Sequence, residues 1–125
     1  MKRLAVLLGV LALTGCGDDG KITEIARYPS PAGDYDAVVG HMTAGQSQPH
    51  LVVITKPGDN PLKGERLMMI DKGDTPVVEW SDGRHMTIRC DGGRIWSYRN
   101  FYVVPTMRQD VISVALACAP RGWAP

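Results

Sequence analysis

Two Asp-Gly turns set between β-branched and aromatic runs constrain this chain more than any other feature. Residues 77–80 (VVEW) lead into Ser81-Asp82-Gly83-Arg84, and that turn leads into residues 85–90 (HMTIRC). Asp91-Gly92-Gly93 then separates the second run from residues 94–99 (RIWSYR). Asp-Gly between such runs is the strongest short-range hairpin signal, because a tight turn between right-twisted strands needs residues that accept positive φ. Two in succession predict a three-stranded meander.

The rest of the chain carries the same punctuation. Residues 21–28 (KITEIARY) alternate enough for a first strand, and residues 29–35 (PSPAGDY) read as a turn. There Pro fixes φ, Gly33 supplies positive φ and Asp34 bonds nearby backbone. Residues 35–42 make a second strand, and residues 43–49 (TAGQSQP) a polar loop. The run 51–55 (LVVIT) is β-branched and nearly continuous, which predicts a central strand covered on both faces. Residues 56–65 (KPGDNPLKGE) form a surface loop, and residues 66–71 another strand, ending at Lys72-Gly73-Asp74. A short apolar run, 101–104, stops at Pro105, and residues 110–118 make a long last strand with Ile112, Val114, Leu116 and Cys118 on one face. Fourteen Gly and nine Pro fit so many turns, and beyond the N-terminus no segment shows a helical apolar stripe. The expected fold is all-β: an antiparallel meander of about seven or eight short strands over residues 22–118, with 119–125 an irregular tail. Sandwich, barrel and curled sheet remain open alternatives.

The N-terminus is of another kind. Lys2 and Arg3 precede an uncharged apolar run, residues 4–13, broken only by Gly9. About ten residues at ~1.5 Å rise reach roughly 15 Å, half of a ~30 Å hydrocarbon core. That is too short to cross a bilayer and right for the apolar part of a signal peptide. Leu13-Thr14-Gly15-Cys16 then resembles the lipobox of bacterial lipoproteins: a Leu, two small residues and an obligatory Cys. The resemblance covers the first sixteen residues. It implies that residues 1–15 are removed, that Cys16 carries a diacylglyceryl group and becomes the mature N-terminus, and that the new amine is acylated. Two or three chains make a firm anchor, whereas one binds only marginally. The implied partner is therefore a membrane, reached through lipid on Cys16. Residues 16–21 would form a tether of at most ~20 Å, holding a periplasmic domain close to the bilayer of the cell envelope. In enteric members of the family an Asp directly after the Cys favours the inner membrane; Gly17 stands there, which leans towards the outer one.

A second, shorter resemblance lies at Ser30-Pro31-Ala32-Gly33-Asp34-Tyr35-Asp36-Ala37-Val38-Val39. It is similar to the SPDG-x-Y-x-A-V-V opening of small bacterial exported domains and of some propeller blades, with Ala32 where Asp is usual. It implies the start of a strand rather than an activity, and one such unit does not make a propeller.

Charge narrows the function classes. Loss of Lys2 and Arg3 takes the basic count from 14 to 12 against 13 acidic residues, so the formal charge passes from +1 to −1. Such balance argues against nucleic acid as a partner and against electrostatic clinging to anionic lipid. With Cys16 lipidated, Cys90 and Cys118 remain, and an exported compartment permits a disulfide. Cys90 shares a strand face with Met86 and Ile88, as Cys118 does with Ile112, Val114 and Leu116. A bridge is the expectation, and two buried thiols acting as small hydrophobes are the alternative.

Catalytic patterns are weak. No Gly-x-Ser-x-Gly occurs, and Ser30, Ser47, Ser81, Ser97 and Ser113 all have turn or strand explanations. Asp71, Asp74, Glu79, Asp82 and Asp91 would have to pair across a cleft to cut glycan, but most flank glycine turns, where Asp is expected. His41-Met42 and His85-Met86 repeat a pair of Cu(I)-type donors, with His50, Met68, Met69 and Met107 elsewhere. Neighbours in a strand point to opposite faces, so neither pair alone chelates, and no cofactor is expected. Copper binding and a small envelope hydrolase are the alternatives. Arg84, Arg89, Arg94 and Arg99 interleave with Trp80, Trp96 and Tyr98. With Ile95 facing the core, Trp96 and Tyr98 would share the exposed side. Arg94, Trp96, Tyr98 and Trp123 are therefore the candidate docking residues for an envelope protein partner. The expected function is a non-catalytic binding or accessory module.

Overall fold

The computed structural model describes residues 21–43 and 48–119, so Cys16, the lipobox, Ser47 and Trp123 lie outside the described residues. The strands are β1 (Lys21–Pro29), β2 (Asp36–Thr43), β3 (His50–Thr55), β4 (Glu65–Gly73), β5 (Val77–Asp82), β6 (His85–Tyr98), β7 (Phe101–Val103) and β8 (Val111–Ala119). They join in a single mixed sheet in the order β1-β2-β3-β4-β6-β8-β7, with β5 also paired to β6. The path has free ends and does not close. The all-β expectation holds, including the central position of β3, five of whose six residues are buried.

Two features differ from a simple meander. First, β6 and β8 run parallel, with His85 to Asp91 in register with Ser113 to Ala119; the other pairings are antiparallel. The short β7 makes this possible, because the chain leaves β6, turns back through β7 and re-enters beside β6 in its original direction. Second, Asp91-Gly92-Gly93 is not a hairpin turn. The strand continues through it without reversing direction, so the two expected strands form one of fourteen residues. Segments flanking a hairpin must pair with each other. Here both halves of β6 instead pair with the preceding chain, the first half with β5 and the second with β4.

Gly92 and Gly93 supply a bend. Their φ values are +70° and +85°. A Cβ on Gly93 would stand 2.7 Å from the Asp71 carbonyl oxygen and 2.8 Å from the Gly73 backbone. Only glycine combines that φ with so close an approach. The bend folds the sheet over, and a single core forms between its halves. Ala37, Val39, Val52, Ile54, Met68 and Ile70 come from one side, and Val78, Met86, Ile88, Ile112 and Val114 from the other.

Polar contacts fix how the halves meet. The Trp80 indole Nε1–H of β5 donates to the Tyr28 carbonyl of β1 at 2.9 Å. Arg84, in the β5–β6 turn, reaches Asp34 of the β1–β2 turn at 2.8 Å and Asp110 before β8 at 2.8 Å. One guanidinium thus gathers three turns. On the outer face the loop 56–64 lies over β1–β3, with Pro61 buried in its 3-10 turn. Asp36 accepts there from Arg27 at 2.8 Å and from the Gly58 N–H at 3.1 Å.

Candidate functional site

The exposed aromatic surface on β6 follows from an irregularity. Opposite β4, Met69 pairs with Ser97 and Ile70 with Ile95, which leaves Trp96 as the extra residue of a bulge. A bulge resets the two-residue alternation. Tyr98 stands in register with Met68 and Ile95 with Ile70, and both of those partners belong to the core. Trp96 and Tyr98 are both exposed, at 60% and 36%, as expected, although the bulge rather than simple alternation sets their directions. The Tyr98 hydroxyl also donates to the Val114 carbonyl of β8, and partial burial raises its pKa. Tyr98 thus ties two strands while keeping part of its ring at the surface, and Trp96 is the more open of the two.

Arg94 lies over the Trp96 ring, its guanidinium carbon 4.6 Å from the ring centre. Such a cation–π contact contributes about 0.5–1 kcal/mol at an exposed site and holds a flexible side chain in place. Asp71 is 4.0 Å from the same guanidinium. Arg99 lies 6.0 Å from the Phe101 ring and bonds Glu65 at 2.9 Å. Phe101 and Val103 of β7 are exposed as well. Two exposed aromatic rings thus have cations held against them.

A cleft of about 330 Å³ opens beside Tyr35, Thr55, Lys56, Lys63 and Tyr102. The rings of Tyr35 and Tyr102 meet edge to face with centres 5.6 Å apart. Burial is the main reason that the Tyr102 phenol is pushed up to about 12, with the Tyr35 ring and hydroxyl adding to it. At neutral pH the Tyr102 phenol is protonated.

The copper-type donors are sorted by the strands. His41 and His50 are register partners across β2 and β3, whereas His85 begins β6 and bonds the Asp82 carboxylate at 2.9 Å. The two His-Met pairs thus lie at separate places in the sheet. The sequence reading missed the His41–His50 pairing, although both residues flank the same loop. Burial, and then the charge of His41, depress the His50 pKa, while Asp74 acts the other way.

Several other candidates have structural partners. Ser30 Oγ donates to Asp34 and Ser81 Oγ to the His85 carbonyl. Asp82 accepts from the Arg84 backbone N–H at 2.7 Å, which, with His85, holds its carboxyl below the usual range. Cys90 and Cys118 are in register on the parallel strands, with Cα atoms 4.4 Å apart, and are joined by a disulfide. Among the described residues no group of three or more His, Cys, Asp or Glu is arranged to hold a metal ion. No helix among them is long and apolar enough to cross a membrane. The chain matches no known family model, no curated protein and no solved structure.

Proposed function

We propose that this protein is a lipid-anchored, non-catalytic binding or accessory module of the bacterial cell envelope, docking a neighbouring envelope protein through Arg94 and Trp96. The observation that carries the reading is Trp96, 60% exposed on a bulge with Arg94 held against its ring. Trp and Arg are the residue types that dominate interface energetics, and here their conformational freedom is already restricted before any partner arrives. A bulge is a device for re-aiming a side chain out of the alternating pattern. The N-terminal pattern supports the anchor, and the Cys90–Cys118 disulfide is consistent with an oxidising compartment.

The decisive experiment places a photo-crosslinking amino acid at Ser97, which is exposed beside Trp96, and captures partners in native membranes. Capture should fall at least tenfold in Arg94→Ala and Trp96→Ala, with Trp123→Ala as a further arm. Unchanged capture in all three removes this face as the docking site. Intact mass of the membrane-extracted protein tests the anchor. A mature chain beginning at Cys16 with diacylglyceryl and acyl mass added is expected; an unmodified thiol there refutes the lipid tether.

A further inference from the structure

His41 and His50 stand directly opposite one another on β2 and β3, at the rim of the sheet where residues 43–49 connect the strands. Register partners share a face, with Cβ atoms about 4.5–5.5 Å apart. Their ring centres are 6.4 Å apart and the planes nearly perpendicular, at 88°. A ligating nitrogen lies ~1.1 Å from its ring centre and Zn–N is about 2.0–2.1 Å, so two imidazoles sharing an ion have centres roughly 5–6.5 Å apart. The observed spacing falls at the wide end of that window.

A second observation points the same way. Nδ1 of His41 is buried and has no hydrogen-bond partner among the described residues. A neutral imidazole carries one donor and one acceptor nitrogen, and leaving either dry costs about 1–3 kcal/mol. An orphaned buried nitrogen in a native fold calls for a missing partner, of which an ion is one. On His50 the Nε2 atom has only a long, 3.4 Å approach from the Thr75 hydroxyl. The segment joining β4 to β5 thus brings Thr75, and beside it Asp74, to the histidine pair. His85 is different, since its Nδ1 is already held by Asp82.

We propose that His41 and His50 form a binding site for a first-row transition-metal ion, of the Zn²⁺ or Cu²⁺ class, held between their imidazoles. Borderline cations of this class are the ones that imidazole nitrogen selects, and Cu²⁺ binds such a pair more tightly than Zn²⁺. The described residues bring no third His, Cys, Asp or Glu into ligating position, so water takes the remaining positions. The site is separate from the Arg94–Trp96 face and does not depend on the docking reading.

The test is calorimetric titration of the full-length chain in detergent, with free thiols blocked by iodoacetamide, using Zn²⁺ alone and Cu²⁺ alone. One equivalent should bind, with Cu²⁺ the tighter. His41→Gln and His50→Gln should each weaken binding at least tenfold, while His85→Gln leaves it unchanged. Absence of binding at submillimolar metal overturns the proposal, as does binding that survives both substitutions. Imidazole ¹H–¹⁵N spectra of the unsubstituted protein give an answer that does not rely on variants folding. On adding Zn²⁺ the resonances of His41 and His50 should shift together and those of His85 stay put; a shift confined to His85, or none, overturns the site.

Discussion

Opening the Cys90–Cys118 bridge perturbs the fold at its least conventional point. The disulfide joins β6 to β8 across the parallel pairing, and its cysteines are 28 positions apart. The chain between them contains the second half of β6, all of β7 and most of β8. In the chain-entropy model a closed loop of about 29 residues removes roughly 12 cal/mol/K from the unfolded ensemble, or about 3.6 kcal/mol at 25 °C. That is a large share of the ~5–15 kcal/mol by which small domains are stable. Serine at both positions removes the bridge with little change of volume, so the loss should come mainly from the loop. Urea unfolding followed by tryptophan fluorescence is the assay. With m of about 1–2 kcal/mol/M for a chain this size, the midpoint should fall by roughly 2 M in Cys90→Ser/Cys118→Ser. Dithiothreitol should give the same shift in the unsubstituted protein. Hydrogen exchange should show the protection of β8 lost before that of β2 and β3, since β8 then loses its one covalent tie to β6 and its far neighbour is the short β7. A midpoint shift under 0.5 M would show that the loop is closed by other contacts even in the unfolded ensemble, and the entropic argument would be wrong here.

Three further outcomes follow from other parts of the sheet. Gly93→Ala should destabilise by about 1–3 kcal/mol in the same assay, because φ is +85° and the new Cβ would meet the Asp71 carbonyl oxygen at 2.7 Å; an unchanged midpoint would show that β6 can bend elsewhere. Tyr98→Phe should cost about 1 kcal/mol through loss of its bond to the Val114 carbonyl, while leaving partner capture intact. Loss of capture without loss of stability would make the Tyr98 hydroxyl a docking group rather than a strand tie. Tyr102, pushed up to about 12, keeps its proton where the unfolded chain, near 10, loses it. Its contribution to stability is therefore complete below pH 10 and disappears as pH rises through 12. Tyrosinate absorbance should show a last step near 12 that is missing in Tyr102→Phe; ionisation of all four tyrosines together near 10 would refute the buried phenol.

What the sequence determined is local. Alternation of β-branched residues and the Pro/Gly punctuation placed most of the strands, and the shared phase of Ile112, Val114, Leu116 and Cys118 gave the inward face of β8. These rest on periodicity and turn chemistry, which act over a few residues. What only the tertiary structure decided is pairing. Asp91-Gly92-Gly93 has hairpin composition, yet the chain runs on because β4 and β5 supply partners for both halves of β6. The bulge at Trp96 could not be read from the residues, since it exists only relative to the register of β4, and neither could the bond by which the exposed Tyr98 ties β6 to β8. His41 and His50 became neighbours for the same reason: register is a property of two strands, and no single stretch of sequence carries it.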